Sequence, residues 1–146
     1  LLGDGLDPIL DKEVDMVTIA GMGSFLIVEI LEKNKAYLNK VKQFYLQPNA
    51  NTDHLRKYLF KNHFKIVDEK MIKDGHHIYE MMVVENTNQD IQYNQEDMMF
   101  GPVLRKNKMN YLSLLAKTYQ TYLKDYERFA IKSSKIFRIR KTKTIN

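Results

Sequence analysis

The chain has 146 residues, enough for one domain or one domain with an appendage, and 44% hydrophobic with 28% charged residues argues against wholesale disorder. It has no cysteine, which excludes disulfides and thiolate chemistry, and no apolar run near the roughly 18–20 residues that a bilayer span requires. The stretch Leu1 to Asp7 lacks the basic and apolar regions of a secretion signal, so a cytoplasmic setting with no membrane partner is expected. The net charge of +5 conceals a division. Residues 1–104 carry 11 Lys and Arg against 16 Asp and Glu, a balance of −5, whereas residues 105–146 carry 12 against 2, a balance of +10. Such asymmetry points to a polyanion, nucleic acid above all, at the basic end, with a solvated tail as the alternative.

In chain order, residues 14–20 form a short, β-branched, nearly continuous apolar run, which suits a parallel strand covered on both faces and ending at Gly21-Met22-Gly23. Ser24 is placed to cap the following helix, whose Phe25, Val28, Leu31 and Leu38 turn toward a core and which breaks near Asn34. Residues 43–46 read as a second strand stopped by Pro48, and Thr52 as the cap of a helix with Leu55, Tyr58 and Leu59 on one face. Residues 64–72 and 77–85 are two extended runs around Lys73-Asp74-Gly75-His76, the signature of an antiparallel hairpin. Residues 86–95 are polar loop. From Arg105 onward Met109, Leu112, Ala116, Tyr119, Leu123, Tyr126 and Ala130 recur at 3-4 spacing, a seam for a helical hairpin or coiled coil. The expected organisation is an α/β unit over residues 1–100 and a basic helical, coiled-coil region over 101–146. With so few parallel strands, the α/β unit reads as the second half of a doubly wound sheet.

Ligands of such sheets bind at the C-terminal ends of parallel strands. Two loops occupy those ends. Ala20-Gly21-Met22-Gly23 could let backbone approach a ligand, or could be a tight strand-to-helix turn. Gln47-Pro48-Asn49 offers two amides in a rigid setting, able to read a base edge or to cap their own loop. Asp4, followed by Gly5, could accept from a purine amino group or a ribose hydroxyl, or could be a turn aspartate. In the basic end, Arg105, Lys108, Lys117, Lys124 and Arg128 are the candidates for gripping phosphates. Of the tyrosines there, Tyr119 and Tyr126 fall on the seam and suit packing, while Tyr111 and Tyr122 suit stacking on bases. His54, His63, His76 and His77 have no cysteine beside them, so no metal is expected, and no nucleophile arrangement or phosphate loop is present.

Gly3-Asp4-Gly5-Leu6, Ile19-Ala20-Gly21-Met22-Gly23, Leu46-Gln47-Pro48-Asn49, Tyr79-Glu80 and Phe100-Gly101-Pro102, in this order and at these intervals, resemble the bacterial tRNA (adenine(22)-N1)-methyltransferase family. The resemblance runs from residue 3 to about residue 125. It implies the later part of a class I, Rossmann-like methyltransferase domain followed by a coiled coil, with S-adenosyl-L-methionine as cofactor and tRNA as substrate. Asp4 and Gly5 then match the position near the cofactor's adenine, and Ala20, Gly21, Met22 and Gly23 match the loop lining the methyl-transfer centre. Gln47, Pro48 and Asn49 match the rim where a target base enters. The family's first strand, its glycine-containing cofactor loop and its ribose-binding acid have no counterpart in this sequence. Methylation of adenine N1 needs placement more than a strong base, and no residue stands out as a general base. The competing readings are a non-catalytic nucleic-acid-binding module and a class I methyltransferase acting on another substrate.

Overall fold

The computed structural model describes residues 6–7, 14–87, 89–109, 112, 116, 120, 123 and 124. Strand β1 (Met16–Met22) leads to helix α1 (Ser24–Lys33) and a short turn of helix α2 (Lys35–Leu38); β2 (Gln43–Pro48) leads to α3 (Thr52–Lys61). Strands β3 (Phe64–Asp74) and β4 (His77–Asn86) form the hairpin, and α4 (Gln95–Phe100) precedes a 3-10 turn at Leu104–Lys106. The sheet order is β1-β2-β4-β3, with β1 and β2 parallel and β4 antiparallel to both β2 and β3. This is the mixed α/β sheet ending in a hairpin that the sequence predicts. The hairpin turns at Gly75-His76, where Asp74 faces His77 and Gly75 takes φ +56, as the first residue of a two-residue turn must.

Among the described residues a main core holds the unit together, with a smaller cluster of Phe100 and Leu104 beside it. Val17, Ile19, Phe44 and Leu46 of the parallel pair, Met82 and Val84 of β4, and Phe64 and Ile66 of β3 meet Ile27, Leu31, Leu55 and Leu59 of the helices. Truncating one of these buried leucines to alanine would cost about 2–5 kcal/mol.

Several local expectations are corrected. Along β1 only Val17 and Ile19 are buried, while Met16, Thr18 and Ala20 are exposed, so the strand is covered on one face rather than two. Gly23, not Ser24, is the residue preceding α1, and Ser24 is its fully buried first residue. Phe25 is 62% exposed, and the core-facing positions are Ile27 and Leu31. Asn51, left-handed at φ 55, precedes α3 in place of Thr52. Of the expected seam, the helical residues Leu112, Ala116 and Leu123 are exposed, as is Met109. Tyr119, Tyr126 and Ala130 lie outside the described residues, as do Tyr111 and Tyr122.

Strand β3 contains a bulge between Ile66 and Asp68: Ile66 pairs with Val84 and Asp68 with Val83, leaving Val67 as the extra residue. One added residue reverses which side chains face the helices. Without it Glu69 would point away from Phe64 and Ile66; with it, Glu69 pairs with Met82 and joins the buried face. Arg56 of α3, wholly buried, meets it there. Its Nε donates to Glu69 Oε1 at 3.0 Å, its Nη2 lies 2.7 Å from Glu80 Oε2, and its Nη1 donates to the Met99 carbonyl at 3.4 Å. Glu69 Oε2 accepts from the backbone N–H groups of Val103 at 2.8 Å and Leu104 at 3.1 Å. Helix, hairpin and the segment after α4 are therefore tied at one point. Gly101 (φ +85) closes the tie, since a Cβ there would sit 2.5 Å from both Glu69 oxygens.

Candidate active site at the ends of the parallel strands

The loops after β1 and β2 lie side by side and are locked together. Between Ala20 and Met22 the β1–β2 register shifts, so Gly21 (φ +75) is an extra residue whose N–H has no place in the ladder. Gln47 supplies the missing acceptor: Gly21 N–H donates to Gln47 Oε1 at 2.9 Å. The same amide turns its Nε2 to the Pro48 carbonyl at 3.1 Å and to Asn49 Oδ1 at 3.2 Å. Asn49 N–H donates to the Met22 carbonyl at 2.8 Å. Gln47 thus serves the loop's own geometry, and Pro48 is buried behind it. Asn49 is exposed, and among the described residues no hydrogen bond uses its Nδ2.

Space is open on the glycine side. A Cβ added at Gly21 or at Gly23 would meet nothing within 4 Å, although φ +75 at Gly21 still disfavours any side chain. Ala20, Gly21 and Gly23 are exposed and Met22 is half-buried, while the Met22 and Gly23 carbonyls accept from the Asn49 and Ile27 N–H groups. Helices α1 and α3 both begin at this edge. Ser24 Oγ lies 3.4 Å from His54 Nδ1, and the His54 imidazole stacks on Phe25 with centroids 4.1 Å apart. The sequence offers His54 only as a metal candidate with no cysteine beside it; it is a half-buried residue in the first turn of α3, against α1. His76 and His77 are exposed at the hairpin turn, and among the described residues no group of three His, Cys, Asp or Glu side chains could hold a metal.

The remaining candidates are spread out. Asp4, Gly5, Lys117 and Arg128 lie outside the described residues. Lys108 and Lys124 are exposed. Arg105 is held by α4: its Nε lies 2.6 Å from Asp97 Oδ1 and its Nη1 contacts Glu96. Asp97 also completes a reciprocal cap with Asn94 at the start of α4. An open polar hollow of about 740 Å³, lined by Asp15, Lys42, Gln43 and Glu85 among others, lies at the opposite ends of β1 and β2, away from both loops. Its Lys42 is raised in pKa by the hydrogen bond and charge of Asp15, 2.7 Å away, with both side chains exposed.

The tie of Arg56, Glu69 and Glu80 was not anticipated. Arg56 follows the core residue Leu55 directly, and Glu80 alternates in step with Met82 and Val84, which are the two signals the sequence carries. Glu69 carries none, because only the bulge turns it inward.

The family model of tRNA (adenine(22)-N(1))-methyltransferase matches residues 1–144. The tRNA (adenine(22)-N(1))-methyltransferase of Bacillus subtilis is 38% identical over 110 residues, covering 73% of this chain and 46% of that protein. A crystal structure of a Streptococcus pneumoniae protein in complex with S-adenosyl-L-methionine superposes with a TM-score of 0.75 at 32% identity, over 93% of this chain and 61% of that one. The crystal structure of the Bacillus subtilis m1A22 tRNA methyltransferase gives 0.72 at 33% identity, over 88% and 57%. The chain spans about half the length of the curated relatives it matches. The chain belongs to the tRNA (adenine(22)-N(1))-methyltransferase family.

Proposed function

We propose that this chain forms the methyl-transfer edge and the RNA-holding end of an S-adenosyl-L-methionine-dependent enzyme that methylates N1 of an adenine in tRNA, position 22 by its family. The observation that carries this is the locked loop pair. Gln47 fixes Gly21, Asn49 fixes Met22, and the backbone from Ala20 to Gly23 is left open at the ends of two parallel strands. When bound, S-adenosyl-L-methionine supplies a methyl group on a sulfonium sulfur. The open Ala20–Gly23 backbone suits its reactive end, and Asp4 and Gly5 are the candidates for its adenine end.

Adenine N1 carries its own in-plane lone pair, so the protein's work is to hold it in line with the methyl group and exclude water, which well-oriented reactions turn into several kcal/mol. The rigid loop pair does this without an acid or base at the reacting atom. Asn49, with Nδ2 uncommitted among the described residues, is placed to hold the incoming base at the rim. A target within folded RNA has to be extruded to reach the edge. Residues 101–146 form a basic helical region that grips phosphates through Lys108, Lys117, Lys124 and Arg128, with Arg105 braced by α4. The setting is cytoplasmic, with tRNA as the macromolecular partner.

The test uses the complete gene product with unmodified tRNA transcript and methyl-labelled S-adenosyl-L-methionine. Label incorporation with a reverse-transcription stop at a single adenine, since N1-methyladenine cannot pair, supports the reading. Salt-sensitive tRNA binding without incorporation would replace it with a non-catalytic RNA-binding module.

A further inference from the structure

Resting on the reading of this edge as an adenine-modifying site, we propose that Phe25, backed by His54, is the stacking platform for the extruded target base. Phe25 sits two residues beyond Gly23, on the first turn of α1, and Met22 just before that loop is the residue tied to Asn49. A phenylalanine at such a position ordinarily packs into the core; this one is 62% exposed. It is nonetheless not loose. The imidazole of His54 lies against one face, centroids 4.1 Å apart and planes inclined by 29°, and His54 is itself held near the buried Ser24 hydroxyl. With one face occupied, the exposure of Phe25 belongs to its other face and edge.

An aromatic ring fixed from behind and bare in front is what a flat heterocycle requires. It offers area at little entropic cost, because the ring is already ordered, and any base can stack on it. The occupant fitting both this ring and the adjoining open backbone is a purine brought out of its own stack, whose former neighbours Phe25 replaces. Ser24 and His54 then act as positioning residues: they set the plane of the ring and touch neither methyl group nor N1.

The experiment uses the complete gene product and tRNA carrying 2-aminopurine at the target adenine, because stacking on an aromatic ring quenches its fluorescence. In free tRNA the base is already quenched by its stacked neighbours, so extrusion alone would brighten it, and restacking on Phe25 should instead keep the wild-type complex quenched. Phe25→Ala and Phe25→Leu should lose most of that quenching and about 10-fold or more of kcat/KM for unmodified tRNA, the scale of one lost base stack. Phe25→Tyr should keep both. Because Phe25 is largely exposed, Phe25→Ala should leave Tm and S-adenosyl-L-methionine affinity near wild type, which separates lost stacking from lost folding. Quenching and kcat/KM unchanged in Phe25→Ala would overturn the platform while leaving the methyltransferase reading intact. Quenching that depends on Phe25 in a protein without methyl transfer would retain the platform and remove the enzyme. Absence of quenching in the wild type would overturn the platform whatever the activity.

Discussion

Replacing Gly101 with alanine probes the tie that joins α3, the hairpin and the start of the C-terminal region. Two costs add. The residue sits at φ 85, ψ 131, a conformation that side chains resist at about 1–3 kcal/mol. The new Cβ would also lie 2.5 Å from each Glu69 oxygen and 2.8 Å from Arg56 Nη2, all in a buried site with no room to retreat, and overpacking of that kind costs about 1–3 kcal/mol. Together they predict a loss of about 2–6 kcal/mol, a large part of an ordinary domain's 5–15 kcal/mol or so. The measurement is equilibrium urea unfolding of the complete gene product, with a midpoint expected to fall by roughly 1–3 M. Gly75→Ala is the control. Gly75 has φ +56 but open space around it, so only backbone strain of about 1–2 kcal/mol applies. A Gly101→Ala protein no less stable than Gly75→Ala would refute the carboxylate clash. A further check is non-additivity: with Glu69→Ala in place, Gly101→Ala should cost less than in the wild type.

Arg56→Met should destabilise by about 3–5 kcal/mol in thermal unfolding, because Glu69 and Glu80 lose their shared cation inside the fold. Arg56→Lys should recover only part of this, since a point ammonium cannot serve Glu69, Glu80 and the Met99 carbonyl together; full recovery would show that the guanidinium fork is dispensable. Tyr58 is pushed well above its ordinary pKa, first by burial and then by the Glu32 carboxylate, to which its hydroxyl donates at 2.7 Å. A raised folded-state pKa means the unfolded tyrosine loses its proton first, so this contribution is complete below about pH 10 and declines above it. Tyr58→Phe should therefore lose less stability than the wild type between about pH 9 and 11, and parallel curves would argue against the assignment. At the loop pair, Gln47→Ala should speed amide exchange at Gly21, whereas Gln47→Glu, which keeps the acceptor oxygen, should not; equal exchange in both would mean that Gln47 does not hold the loop.

The secondary elements were legible because their causes are local. The apolar runs before Gly21 and Pro48, the Asp74-Gly75 turn and the break at Asn34 each act over a few residues, and the structure places β1, β2, the hairpin and the end of α1 accordingly. The charge division and the two loops at the strand ends were legible for the same reason. What the tertiary structure decided are matters of which face a residue meets. Phe25 and Ile27 are both apolar and two positions apart, and only the angle at which α1 lies on the sheet sends one to solvent and the other to the core. Gln47 carries an amide able to face a base or its own loop, and the extra residue at Gly21, visible only in the β1–β2 register, gives it an N–H to satisfy. Glu69 reads as a surface residue in strict alternation from Phe64; one bulged residue, Val67, turns it inward to meet an arginine thirteen positions earlier. A side chain's type is written in the chain, but the face it turns to is set by register, and register is a property of paired strands.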